Sequence, residues 1–151
     1  MTTTIQINGK DVDIELTPDQ IEQIKRSTIK VTDRIRSYAD ACHELGIEPI
    51  RLESFDFIPA PHRKSMFAFH KITTIIQALN EGWVPDWNDE DQPKYYVWYK
   101  WVGSGAGFSC HGCDFGHSVS DVGSRLHFKS KELALFFAEQ FITEINEYFT
   151  L

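Results

Sequence analysis

Thiol and imidazole groups cluster once in the sequence, in Cys-His-Gly-Cys at 110–113 and His117 after it. Tetrahedral zinc prefers such groups, so Cys110, Cys113 and His117 are three candidate zinc ligands. The candidates for a fourth ligand are His127, His111 and Asp114. No second Cys-x-x-Cys pair completes a structural zinc site, so we expect no cofactor and a polar, glycine-rich loop here, with zinc as the alternative.

The same segment offers one pair for nucleophilic catalysis, Cys113 with His117. A thiol needs a nearby base or a helix N-terminus to become a strong nucleophile, and neither a nucleophile elbow nor a phosphate loop accompanies this pair. The glycine-rich run at 103–107 joins two predicted strands rather than leading into a helix, so it lacks the helix dipole of a phosphate loop. We therefore expect no enzymatic activity, with a thiol enzyme as an alternative.

Aromatic residues are concentrated in a predicted strand at 95–102. Alternation along a strand sends Tyr96, Trp98 and Lys100 to one face. The other face receives Tyr95, Val97, Tyr99 and Trp101. One face can pack on the last helix, and the other either meets a second helix or remains a binding surface. Core packing is the favoured interpretation, but any binding site on this sheet would centre on Tyr96 and Trp98, rimmed by Lys100 and Arg125.

The elements that must position these groups are predicted from turn and cap signals. Asn8-Gly9 between alternating apolar residues predicts a β-hairpin over 3–16, and Thr17-Pro18-Asp19-Gln20 starts a first helix. A second helix is expected from an Asp33 cap to Gly46, which suits a left-handed helix end. An irregular connection is expected at 47–61, and a third helix follows it at 62–81. A last helix is expected after Ser130.

Three antiparallel strands are predicted at 95–102, 107–110 and 125–129. The fold class is therefore α+β: an N-terminal β-hairpin, about four helices, and a three-stranded sheet packed against the C-terminal helix. With 151 residues, one domain over 1–151 is the expectation. Residues 1–30 form its hairpin-helix front end and residues 31–151 its main body.

Composition limits the classes of function. The net charge of -7 disfavours a phosphate backbone as partner, because nonspecific nucleic-acid affinity comes mainly from Lys and Arg. The sequence has no apolar run long enough to cross a bilayer and no signal-peptide pattern at its start, so we expect no membrane partner and a cytoplasmic location. Three cysteines, an odd number, indicate free thiols.

Several short motifs occur together in a fixed order: 31–35 with 41–42, 78–83 with 85–87, and 122–126 with 128–130. Over about 31–149 the chain resembles small proteins of Bacteroidetes bacteria and their phages. The resemblance implies no catalytic role. It also implies that Val97, where proline is common, and His127, where cysteine is frequent, are not strict chemical requirements.

The leading hypothesis is a non-enzymatic accessory protein, phage- or prophage-encoded, that binds a protein partner through the aromatic sheet face and the acidic loop at 86–91. The first alternative is a nucleic-acid-binding module that stacks bases on Tyr96 and Trp98. Its phosphate contacts would be Lys94, Lys100, Arg125 and Lys129. The second alternative is the zinc-binding or thiol protein that uses the 110–117 segment.

Overall fold

The structure is a computed structural model that describes residues 2–150. Contacts divide the chain into two compact units, Met1–Arg34 and Ile35–Leu151. Each unit has its own strands and helices, so α+β is the confirmed fold class. The single-domain organisation stays a prediction. No helix within residues 2–150 combines the length and the apolar character needed to cross a bilayer.

The first unit is a hairpin followed by two helices. Strands β1 (Thr2–Ile7) and β2 (Lys10–Glu15) pair antiparallel, so the hairpin lies one residue earlier than the predicted 3–16. The turn between them has positive φ angles of 51° and 75°, which suit Asn and Gly. Helices α1 (Pro18–Thr28) and α2 (Val31–Arg34) follow.

The first unit also shows the predicted helix start. The Thr17 hydroxyl accepts from the Gln20 backbone N–H at 3.2 Å, and the Gln20 side chain accepts from the Thr17 N–H at 2.9 Å. This reciprocal capping box satisfies two backbone donors that the first turn would otherwise leave unpaired.

The second unit holds four helices, two short 3₁₀ turns and one hairpin. Its helices are α3 (Tyr38–Leu45), α4 (Ala60–Leu79), α5 (Lys131–Gln140) and α6 (Ile142–Phe149). Its strands are β3 (Lys94–Gly103) and β4 (Gly107–Gly116), and its 3₁₀ turns are Leu52–Phe55 and Ser124–Leu126. The described chain thus has six α-helices rather than about four.

The predicted three-stranded sheet is wrong. Only β3 and β4 form a sheet in this unit within residues 2–150. The predicted strand at 125–129 contributes a single bridge, in which Phe128 exchanges two backbone hydrogen bonds with Tyr95, at 2.8 and 3.1 Å. Residues Ser124–Leu126 form a 3₁₀ turn, which prevents the alternation from continuing as a strand.

Two helix predictions also need correction. Asp33 lies inside α2, and the cap of α3 is Ser37, whose hydroxyl accepts from the Asp40 N–H at 3.2 Å. The helix after Ser130 is interrupted at Phe141, where φ is -114° and ψ is 29°. The apolar stripe continues across this break, because Phe137, Phe141 and Ile145 are all buried.

The core of the second unit lies where α4 meets α3 and α6, while α5 covers β3 and β4 and α6 packs on β4. Its fully buried apolar residues include Ile35, Cys42, Ile72, Ile75, Leu79, Phe128 and Phe137. The sheet was expected to pack against a single C-terminal helix, and it packs against two, α5 and α6.

Two asparagine side chains hold segments of backbone in place. Asn80, at the end of α4, donates to the His127 carbonyl at 2.8 Å and accepts from the Lys129 N–H at 3.0 Å. Asn146 of α6 accepts from the Phe108 N–H at 2.7 Å and donates to its carbonyl at 3.0 Å. Each amide thus satisfies backbone groups as a neighbouring strand would.

Candidate functional site

The outer sheet surface consists of Trp98 and Lys100 on β3 with Gly112 and Ser109 opposite them on β4. Trp98 is 48% exposed and Lys100 is also exposed. Gly112 has no side chain, so it leaves the facing Trp98 uncovered on that side. A β-bulge follows directly, between Trp98 and Tyr99.

Tyr96 was predicted to share the centre of this surface, but it is only 7% exposed. Its ring lies 5.8 Å from the Trp98 ring and 5.7 Å from the His127 ring, and its hydroxyl donates to Asp121 Oδ2 at 3.3 Å. Burial, together with the Asp121 carboxylate, raises the pKa of Tyr96, so the phenol stays neutral. Tyr96 therefore packs beside the Trp98 ring and does not face solvent.

The cations proposed to meet phosphates are not equivalent. Arg125 is exposed on the Ser124–Leu126 turn rather than on a strand. Lys94 is completely buried and donates to the Asp89 and Gln92 carbonyls at 3.0 and 2.8 Å. Lys129 pairs with Glu81 at 2.7 Å. Two of the four proposed phosphate contacts are thus occupied within the chain.

A buried polar cluster lies beside Tyr96. The Lys94 ammonium is 5.5 Å from the centre of the Trp87 ring, and the His127 ring meets Trp87 edge-on at 5.3 Å. His127 Nδ1 lies 2.9 Å from the Gly123 carbonyl, which can only accept, so Nδ1 carries the proton. Nε2 then has no hydrogen-bond partner among the described residues, and burial lowers the pKa of His127.

The cysteine segment lies on a strand, so the predicted loop at 110–117 is wrong: β4 continues to Gly116. Cys110 and Cys113 are part-buried free thiols, and Cys42 on α3 is a fully buried free thiol. Burial raises the pKa of both β4 thiols, and the Glu139 charge adds to the effect at Cys110. A raised pKa keeps the thiols protonated, which disfavours nucleophilic attack.

His117 stands apart from these thiols in its contacts. It is exposed just after β4, where its ring meets Phe115 edge-on at 5.4 Å. Across residues 2–150, no group of three His, Cys, Asp or Glu side chains is arranged to hold a metal ion. Cys110, Cys113 and His117 therefore form no ready-made ligand cluster.

A large groove is the feature that the sequence analysis missed. It has a volume of about 1180 Å³ and lies between the start of α4, the β3–β4 loop and α6. Residues on one face of α4 form one wall, and α6 and the loop form the other. Its lining includes Leu52, Lys64, Phe67, Lys71, Trp101, Gly105, Ile142, Asn146 and Glu147. Most of the lining is apolar, as in ligand sites generally.

The groove lining is held by specific contacts. Lys71 forms an ion pair with Glu147 of α6 at 2.5 Å, and its ammonium lies 5.3 Å from the centre of the Phe67 ring. The Asn146 amide fixes the backbone at Phe108. Gly107, with φ of 70°, lets Asn146 approach, because an added Cβ would lie 2.2 Å from Asn146 Oδ1. The wall formed by the hairpin and α6 is therefore fixed by a side-chain amide.

One sequence signal could have indicated the groove. Lys64, Phe67 and Lys71 lie three and four residues apart, so they share one face of α4, beside the buried stripe. Nothing in the local sequence shows, however, that α6 and the hairpin loop face these three side chains.

Comparison with protein-family models, with curated proteins and with solved structures finds no match to this chain.

Proposed function

We propose that the chain is a small, non-enzymatic binding protein that engages a protein partner through the outer sheet surface. The observation that carries the proposal is Trp98, a large aromatic side chain that is 48% exposed opposite Gly112. Half-exposed tryptophan beside a cation is typical of the residues that contribute most to binding energy. A cytoplasmic, phage-related accessory role belongs to the same proposal and rests on composition and resemblance.

The partner contributes an extended segment that pairs with the free edge of β3. Beyond Tyr95, β3 pairs with β4 alone in the part of the chain that the structure describes. An unpaired strand edge presents rows of N–H and C=O groups that a further strand can satisfy. Two of the residues along this edge, Trp98 and Val102, are large, apolar and exposed, which adds side-chain area to the backbone pairing.

A protein partner is favoured over a nucleic acid by the charges. The chain carries a net charge of -7, and Lys94 and Lys129 are engaged within it. Tyr96, the second proposed base-stacking platform, is buried. Lys100 and Arg125 remain exposed, which is few cations for a backbone that carries one charge per phosphate.

Site-specific photocrosslinking tests the proposal. Trp98 is replaced by photoreactive benzoylphenylalanine in the full chain, and the product is irradiated in cell extract. The matched control carries the same group in place of Phe57, which is 82% exposed and follows the Leu52–Phe55 turn, outside both strands of the sheet. The protein crosslinked only from position 98 is identified, purified and titrated against the wild-type chain and Trp98→Ala.

We expect Trp98→Ala to bind the partner more weakly by about 2 kcal/mol, which corresponds to a Kd roughly 30-fold higher. Its thermal melt should be unchanged. Affinity for the partner should also tolerate moderate salt, because desolvated aromatic area carries most of it. Crosslinking to nucleic acid with steep salt dependence would support the nucleic-acid alternative instead. Unfolding of Trp98→Ala would show that this face is part of the core.

A further inference from the structure

The groove between α4, α6 and the β3–β4 loop has the composition of a small-molecule site. Two aromatic side chains, Phe67 and Trp101, supply broad apolar surface, and Leu52 and Ile142 add aliphatic area. Trp101 is 49% exposed although its ring also packs edge-on against Phe108 at 5.3 Å. A volume of about 1180 Å³ lies somewhat above the range of about 300 to 1,000 Å³ that is usual for ligand pockets, so a small organic molecule fits inside it.

The charges of the lining differ in sign from those of the whole chain. Two lysines and one glutamate line the groove, whereas the chain as a whole has a net charge of -7. Glu147 already pairs with Lys71, whose side chain is only 14% exposed. Lys64 lies three residues before Phe67, on the same face of α4. It is exposed and has no ion-pair partner within residues 2–150. One cation at the edge of an apolar groove is thus left without a counter-charge.

We infer that this groove binds a small organic anion with a flat apolar body, such as an aromatic carboxylate, sulfonate or phosphate ester. The apolar body lies against Trp101 and Phe67, and the anionic group meets Lys64. Charge complementarity selects the anion, because a neutral ligand leaves Lys64 unpaired and a cation faces two lysines. This site is separate from the outer sheet surface, since neither Trp98 nor Lys100 lines the groove.

Two fluorescent probes of matched shape test this inference on the full chain. Anilinonaphthalene sulfonate has a flat aromatic body with one anionic group, and N-phenylnaphthylamine has the same body without it. Each probe is titrated against folded protein at low salt, with stoichiometry from a Job plot. We expect one molecule of the sulfonate per chain, bound about fivefold or more tightly than the neutral probe.

Variants at the groove and at matched positions locate the site. Lys64→Glu should weaken the sulfonate roughly tenfold and the neutral probe less than twofold, because only the anion feels the reversed charge. Trp101→Ala should weaken both probes at least fivefold. The controls are Lys131→Glu, an exposed lysine with the same change in net charge, and Trp98→Ala, which is equally exposed outside the groove.

Both controls should bind the two probes within twofold of the wild-type chain. The inference is overturned if neither probe binds, if both bind equally well, or if Lys131→Glu weakens the sulfonate as much as Lys64→Glu does. Thermal melts of all four variants are compared, and Lys64→Gln replaces Lys64→Glu if the charge reversal destabilises the chain. These outcomes do not depend on the partner surface, because the Trp98→Ala arm reports on that surface separately.

Discussion

Replacing Asn80 with alanine should lower the free energy of unfolding by about 3 kcal/mol. The Asn80 side chain is buried and makes two hydrogen bonds, to the His127 carbonyl at 2.8 Å and from the Lys129 N–H at 3.0 Å. Each bond contributes about 1 kcal/mol net, and each buried backbone group left unpaired costs about 1 to 3 kcal/mol. Because His127 is itself buried, water cannot replace the lost amide without entering the core.

Urea unfolding, followed by tryptophan fluorescence and by circular dichroism, measures the change. Gln77→Ala is the matched control, since Gln77 is exposed on the same helix, and it should change stability by less than about 0.5 kcal/mol. Asn80→Asp keeps an acceptor for Lys129 but turns an oxygen toward the His127 carbonyl, so it should destabilise at least as much as alanine. If Asn80→Ala matched Gln77→Ala, the amide would not hold this segment.

Three further outcomes are expected. Gly107→Ala should lower the free energy of unfolding in urea by about 2 kcal/mol or more, because the φ of Gly107 is 70° and the new Cβ would collide with Asn146 Oδ1. A decrease of less than about 0.5 kcal/mol would contradict the close approach. Burial holds the pKa of His127 below 6.5, so the unfolded chain binds this proton more tightly than the folded chain does. Stability should therefore fall as the pH drops below about 6.5. A urea midpoint that stays the same from about pH 7.5 to 5.5 would refute this. Thiol labelling of native protein should spare Cys42 and modify the two β4 thiols slowly, with rates that rise at alkaline pH, and fast modification at neutral pH would mean that their pKa is not raised.

The helix starts that the sequence predicted correctly depend on residues within one turn of each other. Thr17 and Ser130 cap α1 and α5 as expected, and Gly46 ends α3 with φ of 66°. The same rule would also have found the Ser37 cap, because Ser37-x-x-Asp40 has the capping-box spacing. In the folded chain the Ser37 hydroxyl lowers the pKa of Asp40 by hydrogen bonding to its carboxylate.

The strand errors have a different physical cause. Alternation at 125–129 resembles a strand, but tertiary contacts decided its conformation: Asn80 binds the backbone on both sides of Phe128, and only Phe128 itself pairs with Tyr95. The polar run at 110–116 looked like a loop, yet it pairs with β3 because an aromatic strand stabilises its partner through cross-strand contacts. The secondary-structure propensity of the local sequence reflects neither the tertiary contacts nor the cross-strand pairing.

The candidate sites were predictable only in part. Alternation indicated that Trp98 and Lys100 share a face, but the burial of Tyr96 depends on His127 and Asp121, which come from a loop far along the chain. The groove is less predictable still. It is lined by residues of α4, the hairpin loop and α6. The helix break at Phe141, just before α6, contains no proline or glycine from which it could have been predicted.

The affinity of the partner captured from position 98 tests the central claim most directly. Purified partner is titrated against the wild-type chain, Trp98→Ala and the exposed control Phe57→Ala, with thermal melts of all three proteins. The account predicts a Kd roughly 30-fold weaker for Trp98→Ala and within about twofold of wild type for Phe57→Ala, with equal melting temperatures. Equal affinity of all three proteins, or loss of binding only with Phe57→Ala, would contradict a binding surface on the sheet.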